Sequence, residues 1–166
     1  CRRVECLAAG GFRRACAIFI TAQEIIVHNA SYPIKEIAEN SHIFRTLGLG
    51  FANLGALIMS FGLGYDSDEG RALAGAMTGI MTGHAYEQSA RMAQILGPFP
   101  GYRDACCSGV SKPLAKDNVK SMLEVIELHR DHVADIQASE KFGALKREAQ
   151  GVWDSALALG KKHGYR

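Results

Sequence analysis

Neither sign of charge dominates these 166 residues: 19 Lys and Arg stand against 17 Asp and Glu, a formal net charge of +2. So even a balance offers no basic surface for nucleic-acid phosphates or an anionic membrane. The Arg2-Arg3, Arg13-Arg14 and Lys161-Lys162 pairs are isolated. No Cys-x-x-Cys occurs, and the five cysteines (Cys1, Cys6, Cys16, Cys106, Cys107) are odd in number and irregularly spaced. No charged-then-apolar signal segment precedes them, so their usage points to a reducing cytoplasm. Also missing are G-x-S-x-G, G-x-x-x-x-G-K-[ST] and H-E-x-x-H, which removes the hydrolase elbow, the P-loop and the zincin helix. There is no internal repeat and no linker-like stretch. The first methionine is Met59, so the expectation is a piece of something longer.

What is present is ordinary globular composition, 48% hydrophobic and 22% charged, which excludes a disordered tail, a collagen-like repeat or a heptad rod. The length suits one compact unit. Eighteen glycines exceed the average of about 7% and require tight turns or close backbone approach somewhere.

Apolar spacing near three and four predicts a helix over 12–29, with Phe12, Cys16, Phe19, Ile20, Ile26 and Val27 as its stripe. Pro33 breaks it, and a shorter helix follows over 34–41. Residues 44–50 alternate and read as the single strand, whose hydrogen-bonding partners must then come from outside this sequence. A helix is expected over 53–61. Asp66, with Glu69 three residues on, reads as the N-cap of a long helix that ends near Leu96, before Gly97-Pro98-Phe99-Pro100-Gly101. Loop to Pro113, a helix over 116–138 and a last helix over 140–163, capped by Gly164, complete the chain.

Several constellations carry possible chemistry. Thr46 to Tyr65 is uncharged, but five glycines, Asn53 and the following Asp66, Asp68 and Glu69 argue against a membrane span. Gly75, Gly79 and Gly83 leave one face of the long helix almost bare, which predicts close packing against a neighbouring element. His129 and His132, with Asp131 and Asp135, have helical spacing for a metal, yet no third ligand is evident, so no metal site is assigned. Cys106-Cys107 is a vicinal pair read as reduced bystander thiols. Gly48 and Gly50 expose a face without side chains that another backbone or a ligand can approach. Asn53 stands where G-x-G-x-x-G needs glycine, so a dinucleotide site fails.

Six words in order carry a resemblance: Phe19-Ile20-Thr21-Ala22-Gln23-Glu24-Ile25, Asn29-Ala30-Ser31-Tyr32-Pro33, Ile37-Ala38-Glu39-Asn40-Ser41, Leu47-Gly48-Leu49-Gly50, Tyr65-Asp66-Ser67-Asp68-Glu69-Gly70 and Gly97-Pro98-Phe99-Pro100-Gly101. The chain resembles the catalytic subunit of adenosylcobalamin-dependent (class II) ribonucleotide reductase over 11–166, with 1–10 a divergent leader. His28 stands where the family pattern has Asp, and Thr46 where it has Pro, which changes a local hydrogen bond and frees a strand N–H.

The resemblance implies that 11–166 is the middle of a ten-stranded α/β barrel, so the fold expectation is mainly α, five to six helices with one strand at 44–50 that joins the remaining barrel strands of a parent chain. It further implies ribonucleotide reduction, with diphosphate substrate, by a cysteine thiyl radical generated through adenosylcobalamin, a nucleotide effector, and a thioredoxin-like reductant. The family's N-x-C-x-E finger loop is absent, its C-N-L cysteine is expected before residue 1 and its P-T-G-T loop after Arg166. Accordingly no catalytic residue is assigned, Cys6, Cys16, Cys106 and Cys107 included; Gly48 and Gly50 alone are offered for cofactor approach. These 166 residues alone are expected to be inactive. The alternative is a non-catalytic helical scaffold or interaction module derived from the same fold.

Overall fold

A helix with no side chains on one face can bring its axis unusually close to a neighbour, and the molecule is assembled around such a helix. The computed structural model describes residues 9–103 and 118–166. Among them are six α-helices: α1 (Ala9–Asn29), α2 (Lys35–Phe44), α3 (Leu54–Ser60), α4 (Asp68–Leu96), α5 (Asn118–His132) and α6 (Gly143–His163). Short 3-10 turns at Pro100–Tyr102 and Val133–Asp135 follow α4 and α5.

Helix α4 is central: α6 packs along it most extensively, α1 covers another side, and α5 lies against α6. The bare face does what its spacing predicts. A Cβ placed on Gly79 would lie 3.3 Å from that of Ala149, and one on Gly83 would lie 2.8 Å from Val152 and 2.9 Å from Trp153. Leu73, Ala76, Ile80 and Ala90 of α4 are sealed, as are Ala149 and Ala156 of α6. At the far end Tyr165 folds back beneath Gly160, and its hydroxyl donates to the Ala156 carbonyl at 3.0 Å.

Most helix limits follow local signals. The helices ending at Asn29, Leu96 and His163 stop where Gly or Pro chemistry predicts, with Gly97 at φ 80° and Gly164 at φ 77°. The N-cap of α4 differs: Ser67, not Asp66, takes it, its Oγ accepting the Gly70 N–H at 3.1 Å and donating to the Gly64 carbonyl at 2.7 Å. The helix expected over 116–138 gives way after His132 to the 3-10 turn, and its first two residues lie outside the described residues. The α1 stripe divides into two faces. Cys16 and Ile20 are buried, whereas Phe19 and Ile26 are exposed.

The expected strand at 44–50 is not formed, and no strand occurs among the described residues. Phe44 is the last residue of α2, and Arg45 turns the chain in the left-handed region at φ 48°, its N–H bonded to the Ser41 carbonyl. Beyond it, exposed Thr46, Gly48 and Gly50 still alternate with half-buried Leu47 and Leu49. No hydrogen bond from a described residue reaches the main chain of 46–52. Alternation survives without pairing, and a strand is defined by its ladder.

The α4–α6 contact gives a direct test. Gly83→Ala adds a methyl where Val152 and Trp153 already stand; overpacking of about 1–3 kcal/mol exceeds a helix-propensity gain of up to about 1 kcal/mol. Urea unfolding is expected to show a net loss of about 1–2 kcal/mol. Gly151→Ala, on the open side of α6, is expected to gain up to about 1 kcal/mol. Equal responses at the two sites would refute the packing account.

Candidate functional site

Because Arg45 turns left-handed, residues 45–49 run back across α4 toward the end of the chain. Together they enclose a cavity of about 620 Å³. Arg45 through Leu49 form one wall, Met81, Ala85, Tyr86 and Ser89 of α4 line the cavity as well, and Tyr165 and Arg166 join the rim beside Arg45. The lining is largely apolar, with its cationic groups at the rims, a character typical of small-molecule pockets.

One carboxylate organises that rim. Glu24, on the buried face of α1, accepts from Arg45 Nε at 2.9 Å and from Arg166 Nε at 2.6 Å, and pairs ionically with Arg45 Nη2 at 2.7 Å. Its main-chain carbonyl also accepts from Arg45 Nη2 at 3.0 Å. The side chains of Glu24 and Arg45 are only 6% and 3% exposed, so this is a desolvated, charge-assisted fork. Ser89 Oγ donates to the Arg166 carbonyl and accepts its N–H, each at 3.0 Å, and the Phe99 N–H donates to the Tyr165 carbonyl at 2.8 Å.

A second buried carboxylate ties α1 to the middle of α4. Glu87 receives Arg91 Nη2 at 2.6 Å and Arg13 Nη2 at 3.2 Å, and lies 2.8 Å from His84 Nδ1. Arg13 also donates to Glu148 of α6 at 2.7 Å. His84 Nδ1 cannot both donate to Glu87 and accept from Arg13 Nε at 3.3 Å; the shorter contact fixes it as a donor. Burial alone would raise the Glu87 carboxyl, but the hydrogen bonds and charges of His84 and Arg91 outweigh it and hold it at about 2. Burial, with Tyr102 and Tyr86 alongside, pushes the Tyr165 phenol up. It likewise raises the Cys16 thiol, against a smaller opposing backbone hydrogen bond.

A family model described as "Ribonucleotide reductase, barrel domain" matches residues 5–166. The chain belongs to that family. Among its relatives, a protein named vitamin B12-dependent ribonucleotide reductase from Rhodopirellula baltica is 43% identical over 155 residues, 93% of this chain and 14% of that protein. Namesakes from Bradyrhizobium diazoefficiens, 43% identical, and Streptomyces coelicolor, 40% identical, align with 94% and 93% of this chain and 13% and 15% of their own. The chain thus spans about one seventh of the curated relatives it matches.

Within this barrel-domain segment, Gly48 lies on the cavity wall and Gly50 outside it; a Cβ on either would meet nothing within 4 Å. Among the described residues, no other backbone approaches either glycine. His129 stacks on Trp153, ring centroids 5.5 Å apart, and exposed His132 pairs with Asp135 at 2.8 Å. The two rings are committed to different partners, and no group of three potential metal ligands gathers among the described residues. Cys1, Cys6, Cys106 and Cys107 lie outside the described residues. No described helix is long and apolar enough to cross a membrane. Sequence reasoning passed over Glu24, Arg45, Arg166 and Glu87; the available signal was an acid in register with Cys16 and Ile20, at spacings of four.

Glu87 makes a pH prediction. Its carboxyl is depressed from 4.5 to about 2 in the folded chain, so its contribution is full above about 4.5 and is lost as pH falls toward 2. Urea midpoints of Glu87→Gln are expected to vary less than those of the parent sequence across that window. Parallel pH profiles would show that the Glu87 carboxyl is not depressed by folding.

Proposed function

We propose that this chain is an internal segment of a vitamin B12-dependent ribonucleoside-diphosphate reductase, which converts ribonucleotides to deoxyribonucleotides for DNA synthesis by thiyl-radical chemistry. The observation that carries the reading is the identity of 36–43% with seven proteins of that name across 93–96% of the chain. A nucleotide effector and a thioredoxin-like reductant belong to the same reading.

The surface supports a segment that is covered in a larger body. Ile18, Phe19, Ile25 and Ile26 are 57–63% exposed on one side of α1, opposite the face that packs on α4. A helix apolar on both sides is normally buried on both. Phe12, in heptad register with Phe19 and Ile26, meets Phe51 edge-on at 6.2 Å, so the exposed face adjoins the unpaired 46–52 main chain. Further elements of the same barrel domain are the natural cover.

The residues present do not hold adenosylcobalamin by themselves. A cavity of about 620 Å³ suits a drug-sized ligand, and a corrin with its adenosyl and nucleotide arms is larger. Gly48 offers an open face but no ligating group. This segment's contribution is therefore scaffolding: it fixes the course of 45–49 and 165–166 and shields their apolar backing from water.

The test uses the full-length polypeptide that contains this stretch. Given adenosylcobalamin, a ribonucleoside diphosphate and a dithiol reductant, it is expected to form the deoxyribonucleotide, whereas the 166 residues alone form none. No product from the long chain would refute the reductase reading. Product from the short one would refute its role as scaffold.

A further inference from the structure

Three segments distant in sequence meet at one carboxylate. Glu24 sits on α1, Arg45 starts the cavity wall, and Arg166 lies at the rim beside it. The wall has no other polar anchor nearby: between Arg45 and Asn53 its main chain bonds to nothing described. Arg45 also occupies the left-handed region at φ 48°, where a residue with a Cβ needs support from its surroundings. Its guanidinium supplies that support through one hydrogen bond and one ion-pair contact to the carboxylate and one hydrogen bond to the Glu24 carbonyl. Arg166 Nε shares Oε1 with Arg45 Nη2 at 2.6 and 2.7 Å. Two like charges are thus brought together on a single oxygen, and only the carboxylate between them makes that arrangement favourable.

We propose that Glu24 is a positioning residue that clamps the Arg45 side chain, beside that of Arg166, at the cavity rim, so that removing its charge releases segment 45–49. The neutral amide of Glu24→Gln keeps the shape but leaves the buried guanidinium of Arg45 facing the partly exposed one of Arg166. Each then gains by swinging out to water. The bearing of this clamp on catalysis rests on the reductase reading. The clamp itself does not, because it is measured in the 166-residue chain without cofactor or substrate.

Trypsin provides the readout, since it cuts after Arg45 only when that side chain leaves its buried fork. Native-state cleavage after Arg45, followed by mass spectrometry, is expected to rise at least about tenfold in Glu24→Gln, reporting the population of the open form. Cleavage after Arg147, in core helix α6, is expected to stay at the parent rate. Adding Arg166→Gln to Glu24→Gln removes the repulsion and is expected to slow the Arg45 cut again, a rescue that independent side chains would not show. Glu24→Asp keeps the charge but draws it back by one methylene, and is expected to give a smaller rise. It also serves as the test if Glu24→Gln does not fold. The proposal is overturned if neither Glu24 variant exposes Arg45, if Arg166→Gln fails to rescue a folded Glu24→Gln, or if Arg147 is cut in step with Arg45.

Discussion

The close approach of α4 and α6 is the constraint on which the other features depend. Gly79 and Gly83 weaken α4 as an isolated helix, since each interior glycine costs up to about 1 kcal/mol relative to alanine. They stand where Val152 and Trp153 leave no room for a methyl at Gly83 and where Ala149 makes one tight at Gly79. Once the two axes are that close, little room remains opposite Gly79 and Gly83, and there the seam is built from Ala149, Val152 and the edge of the Trp153 indole. Tyr165 then closes the end of the seam through Gly160, whose missing Cβ is what admits the phenol. The position of residues 165–166, and hence of one cavity rim, is set by this packing.

On that apolar frame α1 is held chiefly by charge. Its buried side carries Cys16, Ile20 and Glu24, with half-buried Arg13 one turn earlier. Arg13 reaches Glu87 on α4 and Glu148 on α6, while Glu24 gathers Arg45 and Arg166. Thr21 accepts from Gln88 between the two clusters at 3.1 Å. Buried ion pairs are weak evidence for net stability, because desolvation offsets most of the attraction. Their directional bonds do fix rotation and register, which apolar contact leaves loosely determined. One cluster ties α1 to α4 and α6 and the other ties it to residues 45 and 166, and together they hold α1 at one angle.

Those two mechanisms differ in how far they can be read from sequence. The glycine repeat at 75, 79 and 83 is a local pattern that predicts close packing, and the α6 contact at Gly79 and Gly83 follows from it, while Gly75 faces Ile136 instead. Helix ends at Asn29, Leu96 and His163 are equally local, set by residues within a few positions. The strand failed because alternation records which side chains face inward and says nothing about whether a partner exists; Leu47 and Leu49 turn inward without a ladder. The α1 stripe misled for a related reason: residues apolar on two faces give one continuous list, and periodicity alone does not say which face α4 takes. Glu24 was invisible as a clamp because its partners are 21 and 142 positions away, and only the folded chain brings them together.

The distribution of unmet needs follows from the same construction. Where α4 meets α6 and α1, buried groups are almost all paired; Ser139 Oγ is an orphan at the turn before α6. On the other side of α1, Phe19 and Ile26 face water beside a main chain that donates and accepts nothing within the described residues. Main-chain groups tolerate water well, since it satisfies them, whereas a cluster of exposed isoleucine and phenylalanine does not. The apolar face of α1 is therefore the costlier deficit. A neighbouring element that covered it would shield the 46–52 main chain as well, and would then have to satisfy it. The clamp at Glu24 suits such a boundary. It fixes residues 45–49 from the interior side, leaving their outward face, with Gly48 and Gly50 bare, free to meet whatever lies across it.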